Sequence, residues 1–111
     1  MDLYDSQAHL FRTLMHPGRL AILEVLRTGE ACVCHLGAAL GYRQAYISQQ
    51  LMVLRDAGLV VDRRDGWNIY YRVVKPDVFG VLDSARAMVG KRGRTRVSRV
   101  LPSCTCPHCT S

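Results

Sequence analysis

A mainly α-helical domain carrying one small β-hairpin is the fold class this sequence predicts, and three observations predict it. Apolar residues recur at helical spacing through most of residues 5–58. Residues 59–74 then switch to β-branched and aromatic residues around Asp65-Gly66. Finally, 111 residues leave room for one modest core and no second one.

The elements follow in order. In residues 5–15, Ala8, Leu10, Phe11, Leu14 and Met15 fall on one helical stripe. His16-Pro17 interrupts it, because a residue before proline is pushed out of helical geometry. Pro17 suits the first turn of a second helix that ends near Gly29, and Leu20, Ile22, Leu23, Val25 and Leu26 are numerous enough to bury it. Residues 32–58 read as two helices separated by a turn at Gly41-Tyr42, with Leu36 and Leu40 facing the core from the first and Ile47, Leu51 and Leu54 from the second. That pair is a helix-turn-helix. Two short strands flank Asp65-Gly66. Pro76 opens a last helix whose Val78, Phe79, Leu82, Ala85 and Val89 form an apolar face long enough to expect a second copy of the chain against it, giving a two-fold dimer. The expected organisation is a winged helix-turn-helix and dimerisation domain over residues 1–90, followed by a basic, cysteine-rich, flexible extension over residues 91–111.

Charge divides the chain in the same way. Residues 1–83 hold nine bases and nine acids, while beyond Asp83 there are six bases (Arg86, Lys91, Arg92, Arg94, Arg96 and Arg99) and no acid. Such a segment suits neutralisation of phosphates, and equally a solvated linker. No apolar run approaches bilayer length, and "MDLYDSQAHL" carries acids where a signal peptide carries bases. A cytoplasmic, non-membrane protein is expected, and in a reducing compartment paired cysteines point to metal or redox chemistry before structural disulfides.

A helix-turn-helix followed by a hairpin places its second helix in a major groove and its hairpin on the neighbouring backbone. The positions of that helix expected to face outward are Arg43, Gln44, Ala45, Tyr46, Ser48 and Gln49, with no acid among them. Gln pairs with adenine edges, Ala meets a thymine methyl, and Ser and Tyr hold phosphates. The hairpin adds Arg63 and Arg64 as expected contacts to double-stranded DNA, against the alternative of a solvated wing. Trp67 is a further wing candidate for the same contact, against the simpler alternative of packing on Tyr70 or Tyr71.

Residues 14–73 resemble the ArsR/SmtB family of winged-helix metalloregulatory repressors. The motifs that carry the resemblance are "HPGRLAIL", the Cys32-Val33-Cys34 box, "ISQQLMVLRDAGLV" and the "YYRV" strand. It implies a homodimer that binds operator DNA when metal-free and leaves it when metal binds. Two departures stand out: Arg43 occupies the place of a helix-capping serine, and His35 that of an acid after the box.

Cys32 and Cys34, two apart, would point about 200° from one another on a regular helix. Joint ligation therefore requires that the first turn there be unwound or distorted, which would move the support beneath the recognition helix. Two small buried hydrophobes are the alternative. The resemblance implies a soft inducer: arsenite or antimonite first, with Cd(II), Pb(II), Zn(II) or Hg(II) as further candidates. Family members with a third box cysteine have it where this chain has Gly37, and the histidine-bearing site that others carry on the last helix is missing, since residues 76–90 contain no histidine. The extension supplies thiols instead. Thirteen residue steps separate Lys91 from Cys104, an extended reach of up to about 43 Å, so Cys104, Cys106 and Cys109 can meet Cys32 and Cys34 of either subunit. Three sulfurs suit trivalent arsenic and four suit cadmium or zinc.

The histidines His16, His35 and His108 are read as bystanders. "CPHC", residues 106–109, also matches the active-site tetrapeptide of disulfide oxidoreductases, but only two residues follow it, too few for the helix that lowers the first thiol's pKa. An enzyme is therefore not expected. A non-catalytic alternative is a repressor of the same fold that senses oxidants or persulfides by forming a disulfide or polysulfide link between box and tail.

Overall fold

The computed structural model describes residues 2–90. Helix α1 (Leu3–Leu14) begins where the Asp2 carboxylate accepts the Asp5 N–H at 2.8 Å. Helix α2 (Pro17–Leu26) begins behind an extended His16, as the following proline requires. A two-residue strand β1 (Ala31–Cys32) leads directly into α3 (Val33–Leu40), and the turn at Gly41 leads to α4 (Gln44–Asp56). Strands β2 (Val60–Asp65) and β3 (Asn68–Val73) form the hairpin, and α5 (Asp77–Val89) closes the described chain.

The core holds the apolar residues expected of it. Ile22 and Leu23 from α2, Leu36 from α3, and Ile47, Leu51 and Leu54 from α4 are buried together, with Leu14, Leu59, Val60 and Val78 around them. Fully burying each such side chain contributes about 1.5–3 kcal/mol. This core fixes α3 and α4 as one unit against α2.

The sheet has three strands where the sequence shows two. Its order is β1-β3-β2, antiparallel throughout, because Ala31 and Cys32 pair with Tyr71 and Tyr70. A strand of two residues has no alternation to read. The hairpin turn also lies one residue later than Asp65-Gly66: Asp65 pairs with Asn68, leaving Gly66-Trp67 as the loop. Gly66 has φ +62°, the positive value that a Gly-X two-residue connection needs at its first position.

Two apolar stripes are buried over only part of their length. On α1, Leu14 is buried and Leu10 partly so, whereas Ala8, Phe11 and Met15 are exposed. On α5, Val78, Phe79 and Leu82 pack on the core, while Ala85 and Val89 are exposed beside Met88. One protomer therefore presents apolar surface from its first and last helices.

Candidate nucleic-acid interface and thiol site

Helix α4 presents Arg43, Gln44, Ala45, Ser48 and Gln49 to solvent from its first two turns, while Ile47 on the opposite side is fully buried. Arg43 is the N-cap residue and makes no side-chain capping hydrogen bond. Tyr46 departs from the expected exposed set. It is half-buried, its ring lies 5.0 Å from that of Tyr42, and it rests on Gly18, where an added Cβ would come within 2.3 Å of its hydroxyl. Glycine at position 18 is thus a close-approach requirement between α2 and α4.

Arg19, next along α2, adds a polar tie. Its Nε donates to Gln50 Oε1 at 2.7 Å and its guanidinium also donates to the Thr13 carbonyl at 3.1 Å, joining α1, α2 and α4. Its place within "HPGRLAIL" was the only sequence signal for this role. The start of α2 is the seat of the recognition helix.

The wing arginines have different surroundings. Arg63 is ion-paired with Glu30, and its Nε donates to the other carboxylate oxygen at 3.2 Å. The hydrogen bond to Glu30 holds the guanidinium pKa above its ordinary value. Arg63 also stacks over Tyr70 at 5.1 Å from the ring centroid. Arg64 is exposed and makes no ion pair or hydrogen bond among the described residues.

Cys32 is not helical. It is the N-cap residue of α3, with extended φ −87° and ψ 168°, because its backbone is paired to Tyr70 in the sheet. Its Sγ accepts the His35 backbone N–H at 3.3 Å, so the thiol caps the first turn of α3. Cys34 lies one residue inside α3, half-buried, and packs with Ala38 against Cys32 and Tyr70. Cys32 thus stands outside α3 as its N-cap while Cys34 is within the helix, so the 200° separation of two positions on a regular helix does not describe the pair.

Directly paired residues of neighbouring strands point to the same side of a sheet. Cys32 pairs with Tyr70, and Tyr70 pairs with Arg63, so thiol, phenol and wing guanidinium form one row across all three strands. Tyr70 is 1 % exposed and Cys32 5 %. Neither Tyr70's bridging place nor Glu30's hold on Arg63 was visible in the sequence, because both depend on the register of β1. No group of three His, Cys, Asp or Glu suited to a metal occurs among the described residues. Cys104, Cys106 and Cys109, with Lys91, Arg92, Arg94, Arg96 and Arg99, lie outside them. No described helix is long and apolar enough to cross a membrane.

A helix-turn-helix with a solvent-facing second helix and a basic hairpin beside it defines a winged-helix DNA-binding regulator. Residues 16–61 match the family described as "Bacterial regulatory protein, arsR family". The chain is 39 % identical over 97 residues to the uncharacterized HTH-type transcriptional regulator Rv0081 of Mycobacterium tuberculosis, covering 86 % of this chain and 85 % of that one. The crystal structure of Rv0081 superposes with a TM-score of 0.71 at 40 % identity, covering 80 % of this chain and 90 % of that one. The transcriptional repressor BigR from Xylella fastidiosa superposes with a TM-score of 0.74 at 32 % identity over 80 % of this chain and 91 % of that one. The homodimeric winged helix-turn-helix DNA-binding domain Mb0332 from Mycobacterium bovis gives 0.70 at 30 %, over 83 % and 85 %. The chain belongs to the ArsR/SmtB family of transcriptional regulators.

Proposed function

We propose that this chain is a thiol-gated transcriptional repressor: a homodimer that holds operator DNA through α4 and the wing, and lets go when a soft thiophilic ion closes on its cysteines. Cys32 and Cys34 are the ligands at the hinge, and Cys104, Cys106 and Cys109 complete the sulfur set. The order of inducers is arsenite or antimonite first, then Cd(II), Pb(II), Zn(II) or Hg(II). Two thiols fit a soft ion in kind but not in number, which is why the extension belongs to the site. The exposed apolar ends of α1 and α5 support the dimer, as does the homodimeric Mb0332.

The observation that carries this reading is the place of Cys32. It lies between a strand paired to the wing and the helix that supports α4, so a shift of its sulfur acts on both DNA-contacting elements. An ion displaces the repressor only by binding the DNA-released form more tightly, and such couplings are typically about 1–3 kcal/mol. The test is a titration of the reduced protein on its operator with arsenite and Cd(II), followed by fluorescence anisotropy. Release by the ions, lost in Cys32→Ser and Cys34→Ser proteins that still bind DNA, is expected. Unchanged release in both variants overturns it.

Half-burial of Cys34 beside Cys32 also suits the redox reading, with a box-to-tail disulfide or polysulfide link formed by added peroxide or polysulfide. Release by those reagents with no response to metals decides for it.

A further inference from the structure

Arg19 joins three helices through one guanidinium. It stands half-buried in the first turn of α2 and donates from Nε to Gln50 Oε1 of α4 at 2.7 Å and from a terminal nitrogen to the Thr13 carbonyl of α1 at 3.1 Å. A guanidinium is a planar fork whose donors keep fixed angles, so two acceptors engaged at once fix the directions of the elements that bear them. Both acceptors are neutral oxygens, and the Thr13 carbonyl lies in the last turn of α1, where the helix dipole favours a cation.

Only Met15 and His16 separate α1 from α2, and His16 is extended, so the corner between the two helices is set by what crosses it. Phe11 and Met15, on either side of Thr13 in the chain, are exposed on the apolar surface assigned above to the second subunit. Gln50 follows Ser48 and Gln49 by less than a turn of α4. One residue before Arg19, Gly18 takes the Tyr46 ring, so α2 grips α4 at two adjacent positions, and Arg19 extends that grip to α1.

We infer that Arg19 is a positioning residue for operator recognition: it holds the dimer-forming α1 and the DNA-reading α4 at one angle, and so sets the separation of the two α4 helices across the dimer and the half-site spacing the protein accepts. This rests on the dimeric, operator-binding reading above. Half-site spacing mirrors the separation of recognition helices, because major grooves on one side of a duplex recur at about 34–36 Å, and a helix turned at its base arrives out of register with the second groove. The cost appears only when both half-sites must be met together.

A duplex enriched from a random-sequence pool by the wild-type protein supplies the half-sites. Duplexes with those half-sites moved together or apart by single base pairs are then compared by competition anisotropy, alongside a duplex carrying one half-site. Wild type is expected to prefer one spacing by about tenfold or more. Arg19→Ala and Gln50→Leu should flatten that preference to a few-fold while sedimenting as dimers and binding the single half-site like wild type. Gln50→Glu, which keeps an acceptor for Nε, should retain the wild-type profile. An unchanged spacing profile in either Arg19→Ala or Gln50→Leu overturns the inference, and so does an equal loss on single and paired half-sites, which assigns Arg19 to fold stability. Should Arg19→Ala fail to fold, Gln50→Leu, which leaves the Thr13 contact in place, decides the matter by itself. No enriched duplex at low salt, or only monomers bound to it, brings down the operator-binding reading and the inference with it.

Discussion

Cys32 and Tyr70 are directly paired across β1 and β3, and the opposite side of Tyr70's strand brings Arg63 into the same row. The sulfur therefore reaches the wing through a single buried ring. Replacing Tyr70 by Leu keeps the site apolar but removes the surface on which the guanidinium stacks. The expected outcome is operator binding within a few-fold of wild type and a weaker response to inducer, read as a right-shifted release curve. A release curve identical to wild type would assign the coupling to α3 alone.

Gln44 and Ser48 face solvent from one side of α4. Replacing either by Ala should cost about 1–3 kcal/mol of operator affinity if a base contact is lost, and should relax sequence preference at that position. Arg64→Ala should instead weaken binding to every duplex and reduce the salt slope by about one. Competition with specific and mixed-sequence duplexes across salt concentrations separates the two behaviours.

Gly18 tests the seat of α4. Alanine there would place its Cβ 2.3 Å from the Tyr46 hydroxyl and 2.9 Å from a ring carbon, so the ring must leave its place. Intrinsic helix propensity favours alanine by up to about 1 kcal/mol, which offsets part of the lost packing. A small change in thermal midpoint with a clear loss of operator affinity is therefore expected for Gly18→Ala. Adding the substitution to a Tyr46→Ala protein should have no further effect on affinity; an additive loss would mean the path does not run through Tyr46.

Helix α5 is tied to the end of α2 by Arg27, which hydrogen-bonds Asp83 at 2.7 Å and stacks over Phe79 at 4.6 Å. That hydrogen bond holds the Asp83 carboxyl below the usual carboxylate range. A depressed folded pKa gives stability that is complete above the unfolded value, near 3.8, and is lost as pH falls through the lower folded one. Asp83→Asn should accordingly lower the thermal midpoint slightly at neutral pH and narrow its gap to wild type below about pH 4. A gap that is constant with pH would show that the ion pair does not stabilise α5.

Periodicity made the helices legible: Ile47, Leu51 and Leu54 recur at i, i+4 and i+7, and they are buried with Ile22, Leu23 and Leu36. The outward positions of α4 followed as the complement of that pattern. Tyr46 escaped it because its burial comes from the missing side chain of Gly18, a tertiary fact with no local trace. β1 escaped for a related reason: two residues show no alternation, and Cys32 looks helical until its pairing with Tyr70 is known. The register then revealed what spacing could not, namely Glu30 and Tyr70 on either side of Arg63.

The last prediction concerns residues 104–111. Cys32 and Cys34 supply two sulfurs, and among the described residues no third group joins them to make a metal site. Trivalent arsenic favours three sulfurs and cadmium four, and on the proposed reading Cys104, Cys106 or Cys109 of the same subunit or its partner supplies the further donors. Ending the chain at Ser103 removes all three thiols and leaves residues 2–90 untouched, so fold and operator affinity should be preserved. Inducer affinity should fall, and the concentration needed for release should rise with it. Sulfur X-ray absorption would then report fewer thiolates per bound ion than in the full chain. If the shortened protein releases DNA at the same arsenite concentration with the same coordination number, the extension has no part in sensing. Cys32 and Cys34 would then have to recruit their remaining donors from the other subunit's box, which mixed dimers carrying one Cys32→Ser subunit would expose as a loss of release.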